Sequence, residues 1–264
     1  EPARLDISHV YAGYNGTDAL NDLTLQIPHG SQVAIVGPNG AGKSTLFKVL
    51  VGLLPVRKGS IQIHCQPIGQ HRDCVAYVPQ REEVDWKFPV SVWDVVSMGR
   101  YAQQGWLGRP HERDHRVVDE CLEQLRLMKY SNTPVGDLSG GLQQRAFLAR
   151  ALAQEPHILL MDEPFTGVDA TTIGILLEII QKLRKKKVTV LVSTHDLNLA
   201  AQHFELVLLL NKKMISFGPP EKALDQKALT AAFGKQLLNV NGNYLVDDCC
   251  PPGKEHHHQR GGHA

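Results

Sequence analysis

Through ARLDISHVYAGY, and again through ALNDLTLQI, polar and apolar residues alternate with the period of a strand buried on one face. The alternation then stops. QVAIV, bounded by Gly30 and Gly37, is apolar apart from its first residue and predicts a short buried strand. From Ser44 to Val51 the apolar positions take helical spacing, with Gly52 as the stop. GSIQIHC and CVAYVPQ predict two more short strands. Between Glu82 and Pro134 the texture changes. Ser91 and Asp94 form a capping box opening a helix to Gln103. Val117, Val118, Cys121, Leu122 and Leu125 stripe a helix from His111 to Met128. After this helical insertion, strand and helix signals alternate through HILLMD, TTIGILLEIIQKL, VTVLVST, DLNLAAQHF and LVLLL. Such alternation predicts an α/β fold, a mostly parallel sheet with helices on both faces. No internal repeat is evident, and the last stretch, CCPPGKEHHHQRGGHA, predicts disorder.

Composition narrows the picture. The chain has 264 residues, 42% hydrophobic and 21% charged, an ordinary soluble profile with enough mass for one or two cores. A formal net charge of +1 argues against a generic nucleic-acid binder. Five cysteines, at 65, 74, 121, 249 and 250, have neither zinc-site spacing nor the density of a disulfide scaffold, which points to a reducing compartment. No signal peptide or long apolar run is present. FELVLLLNKK reads as the greasiest surface of the late chain but is too short to span a bilayer. Action at a membrane would go through a partner.

The chemistry starts at GPNGAGKST. Gly37, Pro38, Asn39, Gly40, Ala41, Gly42, Lys43 and Ser44 fit the spacing of a phosphate-binding loop between a strand and a helix. Glycines let backbone N–H groups turn inward around phosphates, and the helix start adds a positive dipole end. In such a loop Lys43 reaches the β- and γ-phosphates, Ser44 ligates Mg²⁺, and Thr45 adds a phosphate contact. NKKM at 211–214 lacks the carboxylate of a guanine-reading motif and reads as a solvated turn after a strand. HILLMDEP ends an apolar run on two carboxylates. Asp162 is the candidate Mg²⁺ ligand and Glu163 the candidate general base. Asp-Glu-Pro can also close a strand, but the phosphate loop upstream favours catalysis. In DLSGGLQQR, Ser139 is a candidate N-cap before two glycines, a second anion-binding helix start.

Taken in order, the phosphate loop, YVPQ with Gln80, LSGG, LLMDEP, TGVDA with Asp169 and VSTHD with His195 resemble the nucleotide-binding subunit of an ABC transporter over nearly all of residues 1–235. The resemblance implies an ABC ATPase core with an N-terminal antiparallel β portion and an inserted helical subdomain. It divides the chain into a discontinuous core (1–81 and 137–235), a helical subdomain (82–136) and a C-terminal extension (236–264). It implies a head-to-tail homodimer holding two ATP molecules and Mg²⁺. Ser139, Gly140 and Gly141 would contact the γ-phosphate across the dimer, and Asp169 would organise the opposite site. Gln80 would touch Mg²⁺ or the attacking water and relay closure. His195 would hold the γ-phosphate and support Glu163. An aromatic should stack on adenine from nearly thirty residues ahead of Lys43, which suits Tyr14 first and Tyr11 second.

One residue departs from the pattern: Leu142 stands where the family usually has glutamine, which removes a polar contact near the partner's nucleotide. The segment after Gln80, with Trp86, Phe88, Trp93 and Trp106, is the expected coupling surface. Its wording is similar to ATPase subunits of bacterial manganese, zinc and iron importers, manganese foremost. That implies a separate integral membrane permease, an extracytoplasmic metal-binding protein, and a peripheral position on the cytoplasmic face of the membrane. Importers of metal chelates and soluble ABC ATPases acting on nucleic acid or ribosomes are the rivals. The latter carry paired units or long coiled-coil insertions that are not seen here. Cys249, Cys250, His256, His257, His258 and His263 could bind a transition metal, but a solvated tail is preferred. Arg184 to Lys187 read as a solvated helix end.

Overall fold

A computed structural model describes residues 5–63, 66–67, 74–83, 89–101, 111–234, 237–240 and 243–246. Trp86, Phe88, Trp106 and the Cys- and His-containing tail lie outside the described residues. The alternating N-terminal segments form β1 (Leu5–Tyr14) and β2 (Thr17–Ile27), an antiparallel pair. The apolar run forms β3 (Gln32–Val36), buried at every position, followed by α1 (Lys43–Leu50). Next come β4 (Lys58–Ile63), β5 (Gln66–Pro67) and β6 (Val75–Val78). The insertion supplies α2 (Val92–Ser97) and α3 (Glu112–Gln124), before α4 (Gly140–Ala153). Alternation resumes with β7 (Ile158–Met161), α5 (Ala170–Lys185), β8 (Thr189–Thr194), α6 (Leu197–His203), β9 (Leu206–Asn211) and β10 (Lys213–Gly218). The described chain closes with α7 (Pro220–Ala223), α8 (Gln226–Phe233), and the hairpin of β11 (Leu237–Val240) and β12 (Asn243–Val246).

Two main sheets result. The first is antiparallel, in the order β2-β1-β4-β5. The second runs β10-β9-β3-β8-β7-β6, parallel throughout except for the edge strand β10. Period-2 geometry divides each central strand between two cores. Ala34 and Val36 of β3 enter a core shared with α2, α3, α4, α5 and α6. Val33 and Ile35 enter the other, built with α1 and the antiparallel sheet. The inserted helices therefore share a continuous apolar cluster with one face of the central sheet, through Val92, Val96, Val118 and Leu122.

Several expectations are corrected. FELVLLLNKK is not a greasy surface: Val207 to Leu210 are fully buried in β9, between β3 and β10. The capping box at Ser91 and Asp94 is present, but α2 stops at Ser97 and tightens into a single 3₁₀ turn, Met98–Arg100. The striped helix ends at Gln124, because Arg126 takes a left-handed φ of 56° and Leu127 N–H turns back to Leu122 O at 2.7 Å. Among the described residues no helix is long and apolar enough to cross a membrane.

Candidate nucleotide-binding and hydrolysis site

The phosphate loop leaves β3 at the carboxyl end of the parallel sheet, where the fully buried strand gives it a fixed base. Gly42 has φ 99°, and a β-carbon there would lie 2.6 Å from Ala19 O, so the loop presses directly on β2. Ala41 O accepts from Lys212 N–H at 2.8 Å, mooring the loop to the β9–β10 turn. The NKKM segment is expected to be a turn, but only Lys212, with φ 58°, lies between the strands: Asn211 ends β9, and Lys213 and Met214 open β10. Lys43 is buried, and its Nζ donates to Gly37 O at 2.8 Å and Pro38 O at 3.4 Å. Asn39, Gly40, Ala41, Gly42, Lys43, Ser44 and Thr45 line a cleft of about 520 Å³, together with Gln80, Glu163 and His195.

The two carboxylates follow β7. Asp162 is 1% exposed. Ser193 Oγ, at the end of the neighbouring β8, donates to Asp162 Oδ1 at 2.5 Å, and the Tyr77 hydroxyl lies 3.4 Å from Oδ2. Burial raises the Asp162 carboxyl above its ordinary range, opposed by hydrogen bonds from Ser193 and Ser44. Burial likewise pushes the Tyr77 phenol up, and the Asp162 charge adds to it, so Tyr77 stays a donor. Glu163 sits at a left-handed φ of 46°, with its N–H donating to the same Ser193 Oγ at 2.8 Å. Its Oε2 accepts from Thr166 Oγ1 at 3.2 Å and lies 3.4 Å from His195 Nδ1, while Oε1 is 3.8 Å from Lys43 Nζ. The His195 hydrogen bond holds Glu163 below the usual carboxylate range. Burial opposes this, and the Lys43 charge assists it.

Ser139, Gly140, Gly141 and Asp169 do not line this cleft but form a second corner. Ser139 is the N-cap residue of α4, as expected, with extended backbone, although its side chain makes no capping bond. Gly141 is packed so tightly that a β-carbon would lie 2.5 Å from Thr172 Oγ1 and 2.8 Å from Asp169 Oδ2. Asp169 is the working N-cap of α5, accepting from Thr172 N–H at 2.9 Å. The Thr172 hydrogen bonds lower its carboxyl. Leu142 is half-buried against the helical core, an apolar residue in an apolar setting. Tyr14 is exposed at the end of β1, outside the cleft lining, and Tyr11 lies under Lys58 Nζ, 5.8 Å from the ring centroid.

The sequence reading gave no role to Ser193 or Tyr77, although both lie inside quoted motifs, VSTHD and YVPQ. It also missed an ion network in the helical portion around the buried Arg100: Nε to the buried Asp114 Oδ1 at 2.9 Å, and Nη1 to the exposed Glu155 Oε2 at 2.8 Å. No sequence signal marks these pairings, because each partner is distant along the chain.

Residues 20–166 match the family model described as ABC transporter. The chain is 41% identical to the manganese transport system ATP-binding protein MntB of Bacillus subtilis, over 92% of this chain and 97% of that one. It is also 41% identical to the zinc transport system ATP-binding protein TroB of Treponema pallidum, over 89% of each. A solved transporter assigned to the metal-chelate type, captured in an inward-facing conformation, superposes with a TM-score of 0.77 at 27% identity, over 92% of this chain and 96% of that one. A phosphate loop, a paired carboxylate and a histidine around one cleft, on this fold and with these relatives, make the chain a member of the ABC transporter family, an ATP-binding subunit whose ATPase is coupled to transport.

Proposed function

We propose that this chain hydrolyses ATP to power import of a divalent metal ion, manganese foremost. It would do so as a homodimer on the cytoplasmic face of the membrane, against a separate integral membrane permease supplied by an extracytoplasmic metal-binding protein. The observation that carries the hydrolytic part is the convergence of Lys43, Ser44, Gln80, Glu163 and His195 on one cleft, with Asp162 beneath it. For the cargo, manganese is the metal named most often among the curated relatives. Relatives named for zinc and for chelated iron are also 41% identical, which keeps those cargoes as the second reading.

The residues divide the work. Loop N–H groups from Gly37 to Thr45 and the start of α1 receive the phosphates, and Lys43 neutralises the β- and γ-phosphates. Ser44 and Asp162, with the Gln80 amide facing the same cleft, offer the hard oxygen donors that suit Mg²⁺. Among the described residues no cluster of three His, Cys, Asp or Glu makes a closed cage, which suits an ion completed by phosphate and water. Bound there, Mg²⁺ would screen the charge of the β- and γ-phosphates. Glu163, kept ionised, accepts the proton of the attacking water. His195 orients Glu163 through Nδ1 and reaches the γ-phosphate through Nε2; donating from both nitrogens requires the imidazolium. Tyr14, exposed at the end of β1, offers a ring to adenine, whereas Tyr11 is engaged by Lys58. Ser139, Gly140 and Gly141 would close over the partner's γ-phosphate, with Asp169 beside them.

Glu163→Gln should cut hydrolysis about 10³-fold while ATP binding persists, and the variant should form a stable ATP-dependent dimer. Used as bait with ATP and Mg²⁺ in solubilised membranes, it should retain a polytopic permease. Proteoliposomes of that complex should then take up Mn²⁺ ahead of Zn²⁺ and Fe²⁺. Rapid turnover by the variant would remove Glu163 as the base. Recovery of ribosomal or DNA-bound proteins with no membrane protein would sink the importer reading. Preferred uptake of Zn²⁺ or Fe²⁺ would replace manganese alone.

A further inference from the structure

Gln80 faces the nucleotide cleft, and the chain directly after it folds into a single 3₁₀ turn, Arg81–Glu83, closed by Glu83 N–H to Gln80 O at 3.0 Å. The turn is tied at both ends. Glu83 Oε1 meets Lys48 Nζ of α1 at 2.6 Å. Arg81 donates from Nε and Nη2 to one acceptor, Gln143 Oε1 of α4, at 3.1 and 3.0 Å. Gln143 is 3% exposed, and its Nε2 donates to Val135 O at 3.2 Å, so its amide is oriented from both sides. The Arg81 guanidinium also lies against Gly140, 3.1 Å from where a β-carbon would sit.

We propose that this turn is a strut between the two anion-binding helices, and that Arg81 is the positioning residue through which nucleotide in the cleft sets the start of α4. A three-residue turn has little slack, so a displacement at Gln80 passes to whatever the turn is fastened to. The two fastenings differ in strength. Lys48 and Glu83 are part-exposed, and solvent weakens their pair. The guanidinium fork on a buried carbonyl oxygen is charge-assisted and directional, which makes the α4 end the stiffer one. The tie joins α1, which carries Lys43, to the corner that holds Ser139, Gly140 and Gly141. It rests on the reading that ATP occupies the cleft.

The test is hydrogen exchange on the purified full chain with and without Mg·ATP, at concentrations where light scattering reports single chains. In the parent, nucleotide should slow exchange at the phosphate loop and also alter it across Leu138–Arg145, the latter by about tenfold, the scale of one charge-assisted hydrogen bond. Arg81→Ala should keep the response at the loop and lose the one at α4. Arg81→Lys, which keeps the charge without the fork, should fall between. Arg81→Ala leaves the buried Gln143 oxygen without these donors and should lower the thermal midpoint by a few degrees, while its retained response at the phosphate loop reports that it is folded. An unchanged α4 response in Arg81→Ala, or none in the parent, would overturn the strut. No protection at the phosphate loop would overturn the nucleotide reading on which it stands.

Discussion

The nucleotide cleft and the corner at Ser139, Gly140 and Gly141 both present a helix start, but they are built in opposite ways. The cleft is made of strand ends from one sheet, and its polar groups are cross-linked underneath: Ser193 bonds both the Asp162 carboxylate and the Glu163 backbone. The corner lies on the helical side. Its Ser139 hydroxyl caps nothing, and its rigidity comes from Gly141 wedged against Asp169 and Thr172. The first site is organised within one chain. The second holds its shape by packing around the buried Gly141 and leaves Ser139 exposed.

The contrast can be broken at the cleft first. Ser193→Ala removes an acceptor from Glu163 and a donor from a buried carboxylate. It should cost about 2 kcal/mol in denaturant unfolding and more than about tenfold in ATPase activity. A variant with parent-like turnover would show that strand packing alone fixes the carboxylates. At the corner, Gly141→Ala forces a methyl toward the Thr172 hydroxyl. Nucleotide affinity, read with a fluorescent ATP analogue, should stay within about twofold, while ATPase activity falls about tenfold. Equal losses in both readouts would erase the division between the sites.

Two smaller effects sharpen it. The His195 bond is the leading reason that Glu163 is held below its ordinary range, so the carboxylate survives to lower pH and is lost as pH falls through that depressed value. His195→Ala should therefore move the acid limb of the residual ATPase profile to higher pH. A shift in the other direction, or none, would mean that His195 does not hold the carboxylate. Leu142→Gln places an amide in a half-buried apolar setting and should cost about 1 kcal/mol, or roughly 3 °C in thermal midpoint. A gain in stability would contradict the packing of Leu142 against the helical core.

What was legible in the chain was local. A glycine-rich loop between an apolar run and a helical pattern identifies itself, and Asp162 and Glu163 end a strand as their spacing says. The antiparallel start and the parallel core follow from the change in hydrophobic period. FELVLLLNKK misled because an apolar run does not reveal which strands will flank it, and β9 acquires its burial from β3, far earlier in sequence. Ser193 was illegible because a serine gains its meaning only when β8 lies beside β7. Arg81 and Gln143 belong to the same class, joined across 62 positions. The corner's reliance on Asp169 and Thr172 rather than a serine cap was hidden for the same reason.

The strand order carries a consequence for how the protein comes into being. β8 lies between β3 and β7, yet it is translated after both. While the ribosome is still upstream of Thr189, β3 and β7 have no strand to join them, and Asp162 has no Ser193. The phosphate loop waits as well, because β3 gains both its neighbours, β8 and β9, late and its mooring at Lys212 later still, so the two halves of the cleft come together only when late strands join β3 to β7. An ATPase built in this order stays catalytically silent until most of its length has been made.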